Sequence, residues 1–171
     1  MHRIITAITL FSLIVMGASC GSSEKEISNG VIADRIMVEK SIRRLTLMKN
    51  GIVLKSYKVA LGRKPIGDKE REGDNRTPEG IYKIDRRNAR SRFYRALHIS
   101  YPTPSQIDKS KKLGVGPGGD ILIHGLPSSL AWVGSMHRMF DWTAGCVAVT
   151  NAEIDEIWRV VPDDTTVEIK P

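Results

Sequence analysis

The chain has 171 residues and a mass of 19.0 kDa, which allows one ordinary domain with a short leader but not two full-sized domains. Apolar residues make up 41% and charged residues 26%, a balance that excludes a disordered chain and a multi-span membrane protein. The net charge of +7 suits anionic partners, and the two cysteines, Cys20 and Cys146, exclude a disulfide-rich scaffold.

The first segment is a leader. Arg3 is followed by an uncharged apolar run from Ile4 to Met16, then the small residues Gly17, Ala18 and Ser19, then Cys20. A basic start, a short apolar core and small residues form the pattern of a secretory signal, and the run is shorter than the roughly 20 residues that a spanning helix needs. The Ser19-Cys20-Gly21 junction also resembles a bacterial lipoprotein processing site, although Gly17 stands where leucine is usual. Cys20 is therefore a lipidation candidate, and export to the periplasm or cell envelope is expected either way. Residues 1–20 read as the signal, 21–33 as a flexible tether, and 34–171 as one domain.

Arg35 to Glu39 reads as a short strand. Arg44 to Lys49 and Ile52 to Leu61 are β-prone runs separated by Asn50-Gly51, the strongest short hairpin signal because both turn positions need positive φ. Gly62 to Gly80 is rich in glycine, proline and charge, so it reads as a long loop. Strands are expected at Gly80 to Asp85 and Ala96 to Tyr101, and a short helix at Asp108 to Lys112. The basic stretch Arg86 to Arg92 reads as a solvated loop or as a clamp for substrate carboxylates. Gly116 to Gly119 breaks the chain before a strand at Asp120 to His124.

Cys146 to Thr150 alternates like a strand. Thr150-Asn151 then caps a helix to about Val161, with acidic residues in its early turns and Ile154, Ile157, Trp158 and Val161 on one face. Pro162 stops it, and Thr165 to Lys170 is a last strand. Many short strands with one or two short helices predict a mainly β domain, a sandwich or partly closed barrel.

Chemistry concentrates around Cys146. A free thiol in an oxidising compartment is retained when it is buried or used. Thr143-Ala144-Gly145 surrounds it with small residues, and Gly145 permits a tight turn that aims backbone N–H groups at one point. A nucleophilic cysteine needs a base. His124, at a strand end and followed by Gly125, suits that role better than His98, which reads as a packed strand residue. His137 and Trp142 fall in the spacer before Cys146, where they are candidates to line a cleft, as is Trp132. The pattern thus predicts a Cys–His acyl-transfer site, against the alternative of a buried, inert thiol. The close-spaced ligand pairs of zinc sites are missing, so no metal or cofactor is expected. An aromatic-interleaved basic module is missing too, so nucleic acid is not expected as a partner.

Taken together, Ile123-His124-Gly125, a spacer, and Thr143-Ala144-Gly145-Cys146 resemble the catalytic core of the L,D-transpeptidase family, the YkuD-like domain, whose pattern is His-Gly, a spacer, then Ser/Thr-His-Gly-Cys. Thr77-Pro78-Glu79-Gly80 and Gly118-Gly119-Asp120 fit the same family. The resemblance covers most of residues 34–171. It implies the YkuD-type β fold and peptidoglycan stem peptides as the partner, within the cell envelope. It further implies Cys146 as nucleophile, His124 as base, Gly145 and Cys146 N–H groups as oxyanion hole, and the backbone at Thr143 as the group that orients the histidine. Gly125, His137 and Trp142 would line the substrate cleft. Ala144 replaces the motif histidine, and Ala148 stands where many members have arginine. Transfer to an amine acceptor is the first reading. Hydrolysis at the same site, as a carboxypeptidase or an amidase freeing wall-linked lipoprotein, and an inactive wall-binding lipoprotein are the alternatives.

Overall fold

A computed structural model describes residues 26–171; the segment expected to be a signal and Cys20 lie outside the described residues. The chain opens with a meander: β1 (Arg35–Glu39), β2 (Arg44–Lys49) and β3 (Ile52–Lys58). Asn50 and Gly51 turn the β2–β3 hairpin with φ of 51° and 77°, as the Asn-Gly pair predicts. β4 (Gly80–Ser91) and β5 (Tyr94–Ile99) form a second hairpin, followed by α1 (Pro104–Lys112) and β6 (Leu122–His124). β7 (Val147–Ala148), α2 (Asn151–Val160) and β8 (Thr166–Lys170) complete the fold.

All eight strands join one mixed sheet in the order β3-β2-β1-β8-β4-β5-β6-β7. The pairs β1–β8 and β6–β7 are parallel. Alternate residues face the core: Ile36 and Val38, Leu45 and Leu47, Tyr82 and Ile84, Leu97 and Ile99, Val167 and Ile169 are all buried. α2 lays Ile154, Ile157 and Val160 into the same core, against β5 and β6. Each such side chain contributes about 1.5–3 kcal/mol of burial. The mainly β class expected from the sequence holds. The sheet stays open, but two isolated bridges, Ala60 to Ala148 and Gly62 to Thr143, tie the chain beyond β3 to the region of β7. There are three helical segments among the described residues rather than one or two.

Three local expectations change. The basic stretch Arg86 to Arg92 is not a free loop, because β4 continues to Ser91, with register shifts after Ile84 and Asn88. Tertiary contacts hold it there: Arg87 donates to Trp158 O and Val161 O at 2.5 and 3.1 Å and stacks over the Trp158 ring. That satisfies carbonyls at the C-terminus of α2, where positive charge is favoured. Second, the spacer before Cys146, which reads as a loop in sequence, is ordered in part as a 3-10 segment, Ser128–Met139, kinked at Gly134. Third, residues 26–33, read as part of a free tether, are seated on α2. The Ile27 N–H donates to Glu156 Oε1 at 2.6 Å, Arg159 bonds Ile27 O and Asn29, and the Ala33 N–H meets Val160 O.

Candidate active site

β6 and β7 build the site. Their parallel register pairs Ile123 with Val147 and His124 with Ala148. Extended one residue, it sets Cys146 beside Leu122, so Cys146 and His124 fall on the same face, one pleat apart. Ile123 and Val147 point to the other face and into the core, which anchors both strands.

Cys146 sits just before β7, after a turn that only glycine tolerates. Gly145 has φ of 139°, and a Cβ there would lie 2.7 Å from Arg76 O. Thr143 braces the same turn: its Oγ1 accepts from the Gly145 N–H at 3.1 Å and donates to Cys146 O at 2.8 Å. The thiol donates to Asp120 O at 3.6 Å, and the Leu122 N–H points at the sulfur. Burial pushes the Cys146 pKa up, opposed by that N–H.

His124 is 1% exposed. Its Nδ1 lies 2.6 Å from Gly125 O, which fixes the proton on Nδ1 and leaves Nε2 as the basic nitrogen. The ring stacks on Phe93 at 4.3 Å and meets Trp142 edge-on at 5.8 Å. Burial pulls its pKa down to about 4, so the imidazole is neutral at pH 7. A site that disfavours both the imidazolium and the thiolate holds Cys146 and His124 as a neutral pair. The structure gives no hydrogen bond between them, since the thiol bonds Asp120 instead.

The carbonyl that orients the histidine is Gly125's, not Thr143's. The Thr143 carbonyl accepts from the Arg63 N–H at 3.0 Å, while its hydroxyl braces the turn at Cys146. Gly125 does not line open space either. It is buried, and a Cβ would meet Asn151 Oδ1 at 2.5 Å and Ile154 at 3.0 Å. Trp142 does flank the imidazole. His137 is buried behind it, accepting from Trp142 Nε1 at 3.4 Å, with Nε2 unpartnered and its pKa lowered to about 4 by burial. Trp132 is 81% exposed on the 3-10 segment.

Other contributors have no sequence signature. Phe93 reaches His124 from the β4–β5 turn. Asn151 accepts the Leu126 N–H at 2.7 Å, although in sequence it reads only as part of a helix cap. Asp120 reaches the thiol through its main chain. Among the described residues no group of three or more His, Cys, Asp or Glu is arranged to hold a metal ion.

The model of the YkuD family, described as the L,D-transpeptidase catalytic domain, matches residues 33–169. The chain is 32% identical over 111 residues to YafK of Escherichia coli (strain K12), covering 64% of this chain and 37% of that protein. Among solved structures it is similar to the helical cell shape determining protein Pgp2 of Campylobacter jejuni, with 27% identity and a TM-score of 0.62. That match covers 86% of this chain and 51% of Pgp2. An L,D-transpeptidase from Mycobacterium smegmatis shares the fold at 11% identity and a TM-score of 0.54, over 81% of this chain and 59% of that one. The chain thus spans little more than a third of YafK and about half of Pgp2.

Proposed function

Because the chain belongs to the YkuD family of L,D-transpeptidase catalytic domains, we propose that it is an exported peptidoglycan L,D-transpeptidase with Cys146 as nucleophile. The observation that carries this reading is the pair itself. A partly accessible thiol and a neutral, carbonyl-oriented imidazole stand on one face of adjacent parallel strands.

The neutral pair sets the mechanism. Rotation about the Cα–Cβ bond of Cys146 takes the sulfur off the Asp120 carbonyl and toward His124 Nε2. The thiol then gives its proton to Nε2 as the sulfur attacks the carbonyl of the third stem residue. The N–H groups of Gly145 and Cys146 receive the developing oxyanion, with Thr143 Oγ1 releasing the first of them. Such donors are worth about 2.7–4 kcal/mol each. The leaving D-alanine amine takes the proton from His124, and a thioester remains. Attack by an amine gives a cross-link, and attack by water gives a trimmed stem. Cys20 is the proposed lipid anchor, and the periplasm or envelope the proposed location.

Incubation with tetrapeptide muropeptides tests this. Mass spectrometry is expected to show D-alanine loss and a stem adduct on Cys146, both absent in Cys146→Ala. D-Alanine release that persists in Cys146→Ala refutes the reading.

A further inference from the structure

A groove of about 390 Å3 lies beside the nucleophile, and the steps above leave it unused. His98 opposes Leu122 and Ala96 opposes His124, so these side chains share the sheet face of His124 and Cys146. Ala96, His98 and Leu122 line the groove, together with Arg86 and Asp120.

His98 is buried, as its place in a strand suggests, but it does not enter the apolar core. Leu97 and Ile99 on either side of it enter the core, and His98 faces the other way. Its Nδ1 lies 2.5 Å from Asp85 Oδ1, and its Nε2 3.7 Å from Asp120 Oδ1. The Asp120 carboxylate also meets Arg86 at 3.2 Å, with both side chains largely in water. An exposed ion pair of this kind is weakly held and yields to a ligand at small cost. Asp120 has φ of 50°, a left-handed conformation in which its carbonyl accepts the Cys146 thiol while its carboxylate faces the groove. One residue therefore touches the nucleophile and the groove at once.

We propose that this groove is the subsite for the acyl acceptor and that it recognises an α-amino-acid head group, with the ammonium on Asp120 and the neighbouring carboxylate on Arg86. An adjacent acid and base are the complement of a zwitterion, and ligand and protein each replace one half of the existing pair. The inference rests on the acyl-transfer reading of Cys146. In the transfer step, the bound ammonium gives one proton to His98 Nε2, whose Nδ1–H is held by Asp85. The free amine attacks the thioester carbonyl, the C–N bond forms and the C–S bond breaks. The sulfur leaves with its electron pair, and the second amine proton passes through His124 to it.

Two measurements test the subsite. The first reads the ratio of aminolysis to hydrolysis by mass spectrometry, with a tetrapeptide donor and either deuterium-labelled D-alanine, whose product differs in mass from the donor, or ethylamine as acceptor. Asp120→Asn is expected to lower the ratio at least tenfold for both amines. Arg86→Gln is expected to erase a preference for D-alanine over ethylamine. Unchanged ratios in both variants overturn the proposal. The second needs no turnover: NMR titration of Cys146→Ala protein with D-alanine is expected to shift resonances of His98 and Asp120, and to fail once Asp120→Asn is added. Absence of any shift also overturns it. A protein that binds D-alanine there but never forms a thioester keeps the subsite and refutes the acyl-transfer reading instead.

Discussion

At the residue scale, a buried neutral histidine differs from an exposed one in how it can be used. With its pKa near 4, His124 is in the base form at every pH above about 5. The acid limb of kcat/KM for D-alanine release is therefore expected near pH 4, well below the ordinary histidine value of about 6.5. An acid limb at 6.5 contradicts the burial that lowers the imidazole pKa against the Gly125 hydrogen bond. Under the proposed mechanism, His124→Ala should cut kcat by about 10²–10⁴-fold, the usual worth of a positioned proton acceptor. The raised thiol pKa makes a second demand. Alkylation of Cys146 by iodoacetamide should still be rising with pH beyond the free-cysteine value of about 8.5.

At the element scale, the turns on either side of the spacer and the N-terminus of α2 hold the pair in place. Gly125 supplies the carbonyl for His124 only because α2 packs directly against its Cα. Gly125→Ala should cost about 1–3 kcal/mol by overpacking and displace that carbonyl, lowering kcat as well as Tm. Gly119→Ala has open space around its Cβ and should melt within a degree or two of the parent. Differential scanning calorimetry of the two variants separates them. α2 is itself well anchored. Thr150 and Glu153 form a capping box, and Glu153 also pairs with Arg138 of the 3-10 segment. Near its other end, Glu156 collects Lys55, Tyr57 and the Ile27 N–H. Glu156→Ala should release residues 26–33, read as faster proteolysis of that segment with the sheet intact.

At the scale of the whole molecule, pH separates the native and unfolded states. His124 and His137 both have native pKa values near 4, lowered by burial, against about 6.5 when unfolded. Between those values the unfolded chain binds protons that the native state refuses, so stability falls as pH drops. The loss approaches the order of 3 kcal/mol for each histidine by pH 4. Asp74, held near 2 chiefly by Lys69 and backbone N–H groups against its burial, and Glu156, lowered chiefly by Lys55, act below that window. Their contribution is present above the unfolded carboxylate values and is lost as pH falls through the native ones. Urea midpoints at pH 7, 5 and 4 should decline steeply, and His137→Gln should flatten the decline. An equal slope in wild type and variant rules out His137 as a source.

The sequence by itself determined the strand pattern, the Asn50-Gly51 hairpin, the Thr150 cap and the identity of Cys146 and His124 as a candidate pair. Each of these is a local signal: period-two burial, a turn that needs positive φ, a capping side chain, or reactive residue types in a short motif. Only the tertiary structure decided that Gly125 rather than Thr143 faces the imidazole, that Phe93 and Asn151 support the site, and that Arg87 extends β4 by binding the end of α2. It also turned His98 from the core to a groove. Those outcomes depend on which surfaces meet across the sheet and helix, where partners lie tens of residues apart and local pattern carries no record of them. The basic charge excess likewise came from composition, but where individual arginines act was set by contacts with α2 and Asp120.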